Sequence, residues 1–164
     1  MRLRSGLTLP AVCWTIVIML TAVLMCTACG KEESPEEQIR MFVKAGEEAA
    51  EARDAGDLGK LISEQYQDQH QRTKRDIVAV AARYLFINKN IHLLTRIDQL
   101  SFPQPDRAEC RIYVAMTGQN VSDLDSLLNM QADLYRFDVE LAREEGDWKL
   151  VRAEWHRAGP EDFF

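Results

Sequence analysis

Cysteine and histidine are scarce in this sequence of 164 residues, which contains four cysteines and three histidines. Only Cys110 lies in the body of the chain, since the other cysteines precede residue 30. A domain with one thiol has no internal disulfide, so its stability must come from an ordinary hydrophobic core. His70 and His156 have no histidine or cysteine partner at ligand spacing. We therefore expect neither a metal site nor a bound cofactor.

Positive charge is also limited, because 20 basic residues stand against 26 acidic residues and give a formal net charge of −6. Subtracting Arg2 and Arg4, which open the N-terminal leader, leaves 18 basic residues and a charge of −8. An acidic surface disfavours nucleic acid and anionic lipid headgroups, since both need Lys and Arg to neutralise phosphate. The composition thus predicts no nucleic-acid partner.

The leader has no charge between Arg4 and Lys31. A positive start followed by an apolar run is typical of an export signal. Its apolar core, residues 11–28, is near the lower length limit for a membrane-spanning helix, so insertion without cleavage is the alternative interpretation.

The segment CTACG that ends the leader resembles the lipobox of bacterial lipoproteins, in which a small residue precedes the cysteine that receives the lipid. The resemblance implies lipidation of Cys29 after removal of a signal peptide at 1–28, and a tether at 29–35. It also implies a lipid-anchored protein of the bacterial cell envelope, whose domain faces the periplasm or the cell exterior. Cys26 departs from the pattern, because it stands where lipoproteins usually have an aliphatic residue.

Cys26 and Cys29 could alternatively form a redox pair or a metal clip. A redox Cys-x-x-Cys motif normally lies at the start of a helix beside a folded sheet. Both thiols here end an apolar leader, and no second cluster of ligands lies nearby. These patterns favour lipidation.

Three helices are predicted next from capping residues and apolar stripes. The first starts at Ser34 and Pro35 and ends at Gly56. The second, capped by Asp57, runs through Tyr66. The third opens with Thr73 and Asp76, ends near Asn88, and should be the most buried because its apolar face is wide.

Four strands follow, and the later ones alternate between apolar and polar residues. We predict that Pro103 interrupts the first strand. The residues predicted to face inward on the other three strands are Cys110, Ile112, Val114, Met116, Tyr135, Phe137, Val139, Leu141, Val151, Ala153 and Trp155. Helices followed by a sheet with one apolar face predict an α+β fold with an antiparallel sheet packed on helices.

This order of elements resembles the nuclear transport factor two-like superfamily, which includes steroid isomerases and scytalone dehydratase. The most specific part is the ending, where DWKLVRAEW follows Gly146 and is similar to the closing strand of that superfamily. The resemblance implies a cone-shaped roll over residues 36–158, followed by a tail at 159–164, with a pocket at the wide end of the cone.

Enzymes of that superfamily place an acid, a base or a tyrosine on the side facing the pocket. The inward residues listed above include no carboxylate or histidine, so no catalytic residue carries over. The pocket candidates are Tyr66, Tyr135, Phe137, Trp155 and His92. Tyr66 and Tyr135 could instead be core aromatics, and His92 could be a general base or an ordinary surface histidine.

Three functions remain open: a module that binds a small apolar ligand, an accessory protein that docks an envelope partner, and an enzyme of the isomerase or dehydratase kind. A pocket closed by Phe163 and Phe164 would favour the interpretation as a docking protein. An open, apolar pocket would favour the interpretation as a ligand-binding module.

Overall fold

The computed structural model describes residues 33–118 and 133–162. The leader, Cys29, most of the tether and Phe163 and Phe164 lie outside these residues. Three helices come first: α1 (Pro35–Glu51), α2 (Ala55–Lys60) and α3 (Lys74–Ile87). Four strands follow: β1 (His92–Gln104), β2 (Arg107–Thr117), β3 (Asp133–Glu144) and β4 (Asp147–Arg157). No helix in this part of the chain is both long and apolar enough to cross a membrane.

Helix α1 begins as its sequence predicts, because the Ser34 hydroxyl accepts a hydrogen bond from the Glu37 backbone N–H at 3.2 Å. Its predicted end at Gly56 is wrong. The helix stops at Glu51, and Arg53 takes a left-handed conformation with a φ of 59°. The Arg53 guanidinium donates to the Leu85 carbonyl at 2.9 Å, a tertiary contact with α3 that a local pattern does not reveal.

Helix α2 is shorter than predicted and is capped by Asp54 rather than Asp57. The Asp54 carboxylate accepts from the backbone N–H groups of Gly56 and Asp57. Tyr66 therefore lies beyond the helix, which corrects its predicted position. The chain between α2 and α3 pairs with β4 instead, as the hydrogen bond from the Ser63 N–H to the Leu150 carbonyl shows.

Helix α3 opens at Thr73 with a capping box to Asp76 and ends at Asn88, as its sequence predicts. The prediction that it is the most buried helix is wrong. Leu85 is its buried residue, whereas Phe86 is 81% exposed and Ile87 is 63% exposed. Its wide apolar face borders a cavity as well as the core.

The strands form a four-stranded antiparallel sheet in the order β1-β2-β3-β4. Pro103 does not interrupt β1, contrary to the prediction. It falls where the pairing of β1 with β2 shifts between Ser101 and Gln104, and such an irregularity accommodates a residue without an N–H. The first turn consequently lies at Pro105 and Asp106.

A second shift explains the one inward residue that was assigned wrongly. Glu140 pairs with Arg152 but Leu141 pairs with Leu150, so Val151 is an extra residue in β4. The alternation changes phase there, and Leu150 packs against the buried core in place of Val151.

The predicted α+β class with a curved antiparallel sheet is confirmed. Helix α1 packs against β1 and β4, and α2 packs against α1 and α3. The core between the layers includes Ile39, Leu141 and Trp148. The Trp148 indole N–H donates to the Gln38 side chain at 3.1 Å, which satisfies its polar atom.

Candidate functional site

A cavity of about 440 Å³ lies between the helices and the inner face of the sheet. This volume falls within the range of small-molecule sites, about 300–1,000 Å³. Its walls are almost wholly aliphatic and aromatic. Phe42 and Val43 contribute from α1, Ile77 and Ala81 from α3, and Val114 from β2.

Four of the five predicted pocket residues line this cavity, namely Tyr66, Tyr135, Phe137 and Trp155. The Phe137 ring stacks on the Trp155 ring, with centroids 6.2 Å apart, and also contacts Tyr135. His92 is not part of the wall. Its Nδ1 lies 3.9 Å from Glu51 Oε1, and neither of these two side chains lines the cavity.

Tyr66 occupies the buried end of the cavity, where only 2% of its surface is exposed. Its hydroxyl has no hydrogen-bond partner in the described part of the chain. Burial raises the pKa of Tyr66 to about 12, with a smaller contribution from the nearby charge of Asp68. The hydroxyl is therefore protonated at neutral pH.

Asp68 and Arg72 form a charged pair behind this end. The Asp68 carboxylate is fully buried and accepts from the Arg72 Nε at 2.6 Å and from the backbone N–H groups of His70 and Arg72. Burial alone would raise the pKa of Asp68, but these hydrogen bonds outweigh it and hold the pKa below its ordinary value. The Arg72 guanidinium lies 4.6 Å from the centre of the Trp155 ring, so it also supports the cavity wall.

The exposed end of the cavity is bordered by Val80 and Tyr84, which are 47% and 39% exposed. Burial raises the pKa of the Tyr84 hydroxyl, with smaller contributions from Asp133 and Tyr135, so these polar groups lie near one another. Because Val80 and Tyr84 are partly exposed whereas Tyr66 is buried, the cavity extends from the surface of the domain into its interior.

A carboxylate on the wall was missed from the sequence. Glu47 lines the cavity from α1, and its Oε2 accepts a hydrogen bond from the Thr95 hydroxyl at 2.9 Å. It lies four residues after Val43 and three before Ala50, within the apolar stripe of the helix. That spacing could have indicated from the sequence that Glu47 faces the sheet.

The strand carboxylates Asp138, Glu140 and Glu154 lie on the opposite face of the sheet, as predicted. Asp138 pairs there with Arg111 at 2.7 Å and with Arg136 at 3.1 Å. Cys110 is buried, and desolvation raises its pKa to about 11. Among the described residues, no group of three or more acidic, histidine or cysteine side chains could hold a metal ion.

Comparison with protein-family models and with curated proteins finds no match. Solved structures do match. A candidate scytalone dehydratase of Novosphingobium aromaticivorans aligns with a TM-score of 0.62 and 11% identity over 76% of this chain and 84% of its own.

Two NTF2-like proteins of unknown function also match. The protein from Pseudomonas putida has a TM-score of 0.55 and 17% identity over 77% of this chain and 88% of its own. The protein from Shewanella oneidensis has a TM-score of 0.59 and 12% identity over 74% of this chain and 98% of its own. The domain therefore has an NTF2-like fold, and identities this low show the fold alone.

Proposed function

We propose that this protein is a lipid-anchored binding protein of the bacterial cell envelope, whose domain holds a small apolar molecule. The observation that carries the proposal is the open cavity of about 440 Å³ with aliphatic and aromatic walls. Each methylene of a ligand that is buried there contributes about 0.8 kcal/mol before the costs of association. The lipid anchor rests on the leader and Cys29, and the cavity argument is independent of it.

Binding can be tested with the full-length protein in lipid nanodiscs and an apolar fluorescent probe, with empty nanodiscs measuring partition into the lipid. Ala81→Trp places a large ring in the cavity wall and should reduce probe binding to the level measured with empty nanodiscs. Ala79→Trp is the matched control, because Ala79 is exposed on the same helix and does not line the cavity. Tyr135→Ala and Trp155→Ala should weaken binding by removing aromatic walls.

Equal binding by the wild type and Ala81→Trp would remove the pocket hypothesis and favour docking of an envelope protein on another surface. Mass spectrometry of the protein purified from its native envelope gives a second readout. We expect a retained small molecule, which Ala81→Trp should lack.

An enzyme of the isomerase or dehydratase kind is the second candidate, and the Glu47 carboxylate on the cavity wall favours it. A proton-transferring carboxylate would accelerate exchange of solvent deuterium into the carbon next to the carbonyl of a bound ketone. A binding module should give no exchange above that of Glu47→Gln. Faster exchange with the wild type than with Glu47→Gln would favour the enzyme.

A further inference from the structure

The C-terminal end of α3 exposes large apolar side chains to solvent. Phe86 is 81% exposed and Ile87 is 63% exposed, whereas side chains of these types are usually buried. Val80 and Tyr84, which border the cavity entrance, lie on the same stripe of the helix as Ile87, at spacings of four and three. We name this region the α3 tip; it comprises Val80, Arg83, Tyr84, Phe86, Ile87 and Lys89.

The charge of the α3 tip is positive, unlike that of the domain as a whole. Arg83 lies three residues before Phe86 and four before Ile87, so it is a neighbour of both on the helix surface. Arg83 and Lys89 are exposed, and no hydrogen bond or ion pair among the described residues engages either side chain.

The nearby acidic residue offsets little of this charge. Asp133, whose charge acts on the Tyr84 hydroxyl, is itself paired with Arg157 at 3.5 Å. Exposed aromatic and aliphatic side chains among unpaired positive charges are typical of surfaces that lie in the interface of an anionic bilayer.

The proposed lipid anchor keeps the α3 tip within reach of a bilayer. Residues 29–34 span at most about 20 Å when extended, and α1, which follows them, has 17 residues and is about 25 Å long. The hydrogen bond from Arg53 to the Leu85 carbonyl places the end of α1 beside the end of α3. With α1 parallel to the membrane, the tether and the α3 tip can therefore meet the same surface.

The area of the α3 tip suits a bilayer better than a protein partner. A stable protein interface buries about 800 Å² on each side, whereas a large aromatic side chain supplies about 150–250 Å². Phe86 and Ile87, even together with the partly exposed Val80 and Tyr84, fall short of the area that a protein interface needs. Insertion into a bilayer has no such minimum, because the anchor already holds the domain at the surface.

We propose that the α3 tip is a membrane-contact surface, in which Phe86 and Ile87 insert at the boundary between headgroups and acyl chains while Arg83 and Lys89 lie against anionic headgroups. The proposal rests on the lipid anchor of the proposed function and adds a contact made by the domain itself. Because the domain as a whole is acidic, this contact orients the anchored domain and does not replace the anchor. The cavity entrance, which is part of the α3 tip, then lies at the bilayer surface.

Phe86→Trp reports the contact through its own fluorescence. The full-length protein is incorporated into nanodiscs of anionic lipid with brominated acyl chains, which quench a tryptophan that lies among them. After subtraction of the wild type, which gives the background of Trp148 and Trp155, the added tryptophan should emit at shorter wavelength and lose intensity relative to unbrominated nanodiscs. Ser101→Trp is the matched control, because Ser101 is exposed on the outer face of the sheet and should show neither change.

Two charge changes in the Phe86→Trp protein test the chemistry of the surface. Ile87→Glu should restore most of the lost emission, because a carboxylate does not enter the boundary with the acyl chains. Arg83→Glu should restore emission in anionic nanodiscs and much less in nanodiscs of zwitterionic lipid. Both positions are exposed, so neither change should lower the melting temperature.

Absence of quenching in Phe86→Trp, or equal quenching of Phe86→Trp and Ser101→Trp, would overturn the membrane-contact surface. Crosslinking from position 86 to an envelope protein, without quenching in nanodiscs, would assign the surface to a protein partner and overturn the proposal as well. An equal effect of Arg83→Glu in anionic and zwitterionic nanodiscs would overturn the contact with anionic headgroups.

Binding of the apolar fluorescent probe to the same nanodiscs separates this proposal from the binding function. Quenching without probe binding would support the membrane contact and remove the binding function. Probe binding without quenching would do the reverse. A protein that does not incorporate into nanodiscs would overturn the anchor and the membrane contact together.

Discussion

At the scale of the residue, Asp68 connects the loop after Tyr66 to the cavity wall. Its carboxylate accepts from the backbone of His70 and from both the backbone and the guanidinium of Arg72. Arg72 in turn covers the Trp155 ring. One buried side chain thereby holds Arg72 against Trp155, which lines the cavity.

The pH dependence of stability follows from the lowered pKa of Asp68, whose ordinary value is 3.8. A carboxyl group with a lowered pKa in the folded state contributes stability above its ordinary value. That contribution is lost as the pH falls through the lower, folded-state value. Acid should therefore weaken the loop by protonating Asp68.

Asp68→Asn should lower the free energy of unfolding at pH 7 by about 1–3 kcal/mol, because hydrogen bonds to a charged acceptor become weaker or are lost. The difference from the wild type should shrink as the pH falls below 3.8, where the wild type loses the same interaction. Urea unfolding across this pH range measures it. Asp147→Asn is the control, since Asp147 is 80% exposed, and a difference for Asp68→Asn that is independent of pH would contradict the assignment.

At the scale of the element, alternation predicts the inner face of the sheet well but does not predict its bulges. Phe137, Val139 and Leu141 face inward in β3, as the period of two requires. Val151 fails because the extra residue changes the phase of β4, and a bulge has no reliable signal in one strand read alone. The helix boundaries fail for a similar reason, since the contact of Arg53 with α3 is tertiary.

The site was predictable to the extent that it lies on regular strands. Tyr135, Phe137 and Trp155 belong to the alternating pattern and line the cavity. Tyr66 was identified as a pocket residue, but the local apolar spacing placed it on a helix. In the structure the segment that contains it pairs with β4, and this pairing overrides the local spacing. Glu47 was missed, since an acidic residue on an amphipathic helix is usually assigned to the face that is exposed to solvent.

Two substitutions at neighbouring positions of β3, expected to differ widely in their effect on stability, test the two faces. Val139 is 8% exposed within the core, so Val139→Asp would bury an unpaired carboxylate and cost about 3–5 kcal/mol. Asp138→Val removes partly exposed ion pairs with Arg111 and Arg136, which contribute about 0–1 kcal/mol each. Thermal unfolding compares them, and equal melting temperatures would show that the faces are assigned wrongly.

At the scale of the whole molecule, the domain and its proposed anchor depend on different parts of the chain. The domain has a surplus of acidic residues, which gives its surface little attraction for anionic headgroups. The described residues also contain no helix that could span a membrane. If the leader is removed before Cys29, as we propose, attachment depends on acyl chains, and two or more of these anchor a protein far more firmly than one.

The lipid anchor is tested by two substitutions that separate the acceptor from its neighbour. Cys29→Ser removes the thiol that would carry the lipid, so we expect an unprocessed precursor with its leader retained. Cys26→Ser should still give a lipidated product, because Met25 is too large for the position before a lipidated cysteine. Intact-mass spectrometry measures both cleavage and acylation. A Cys29→Ser protein that is cleaved and acylated normally would contradict the assignment, whereas loss of acylation in Cys26→Ser alone would move the lipid to Cys26.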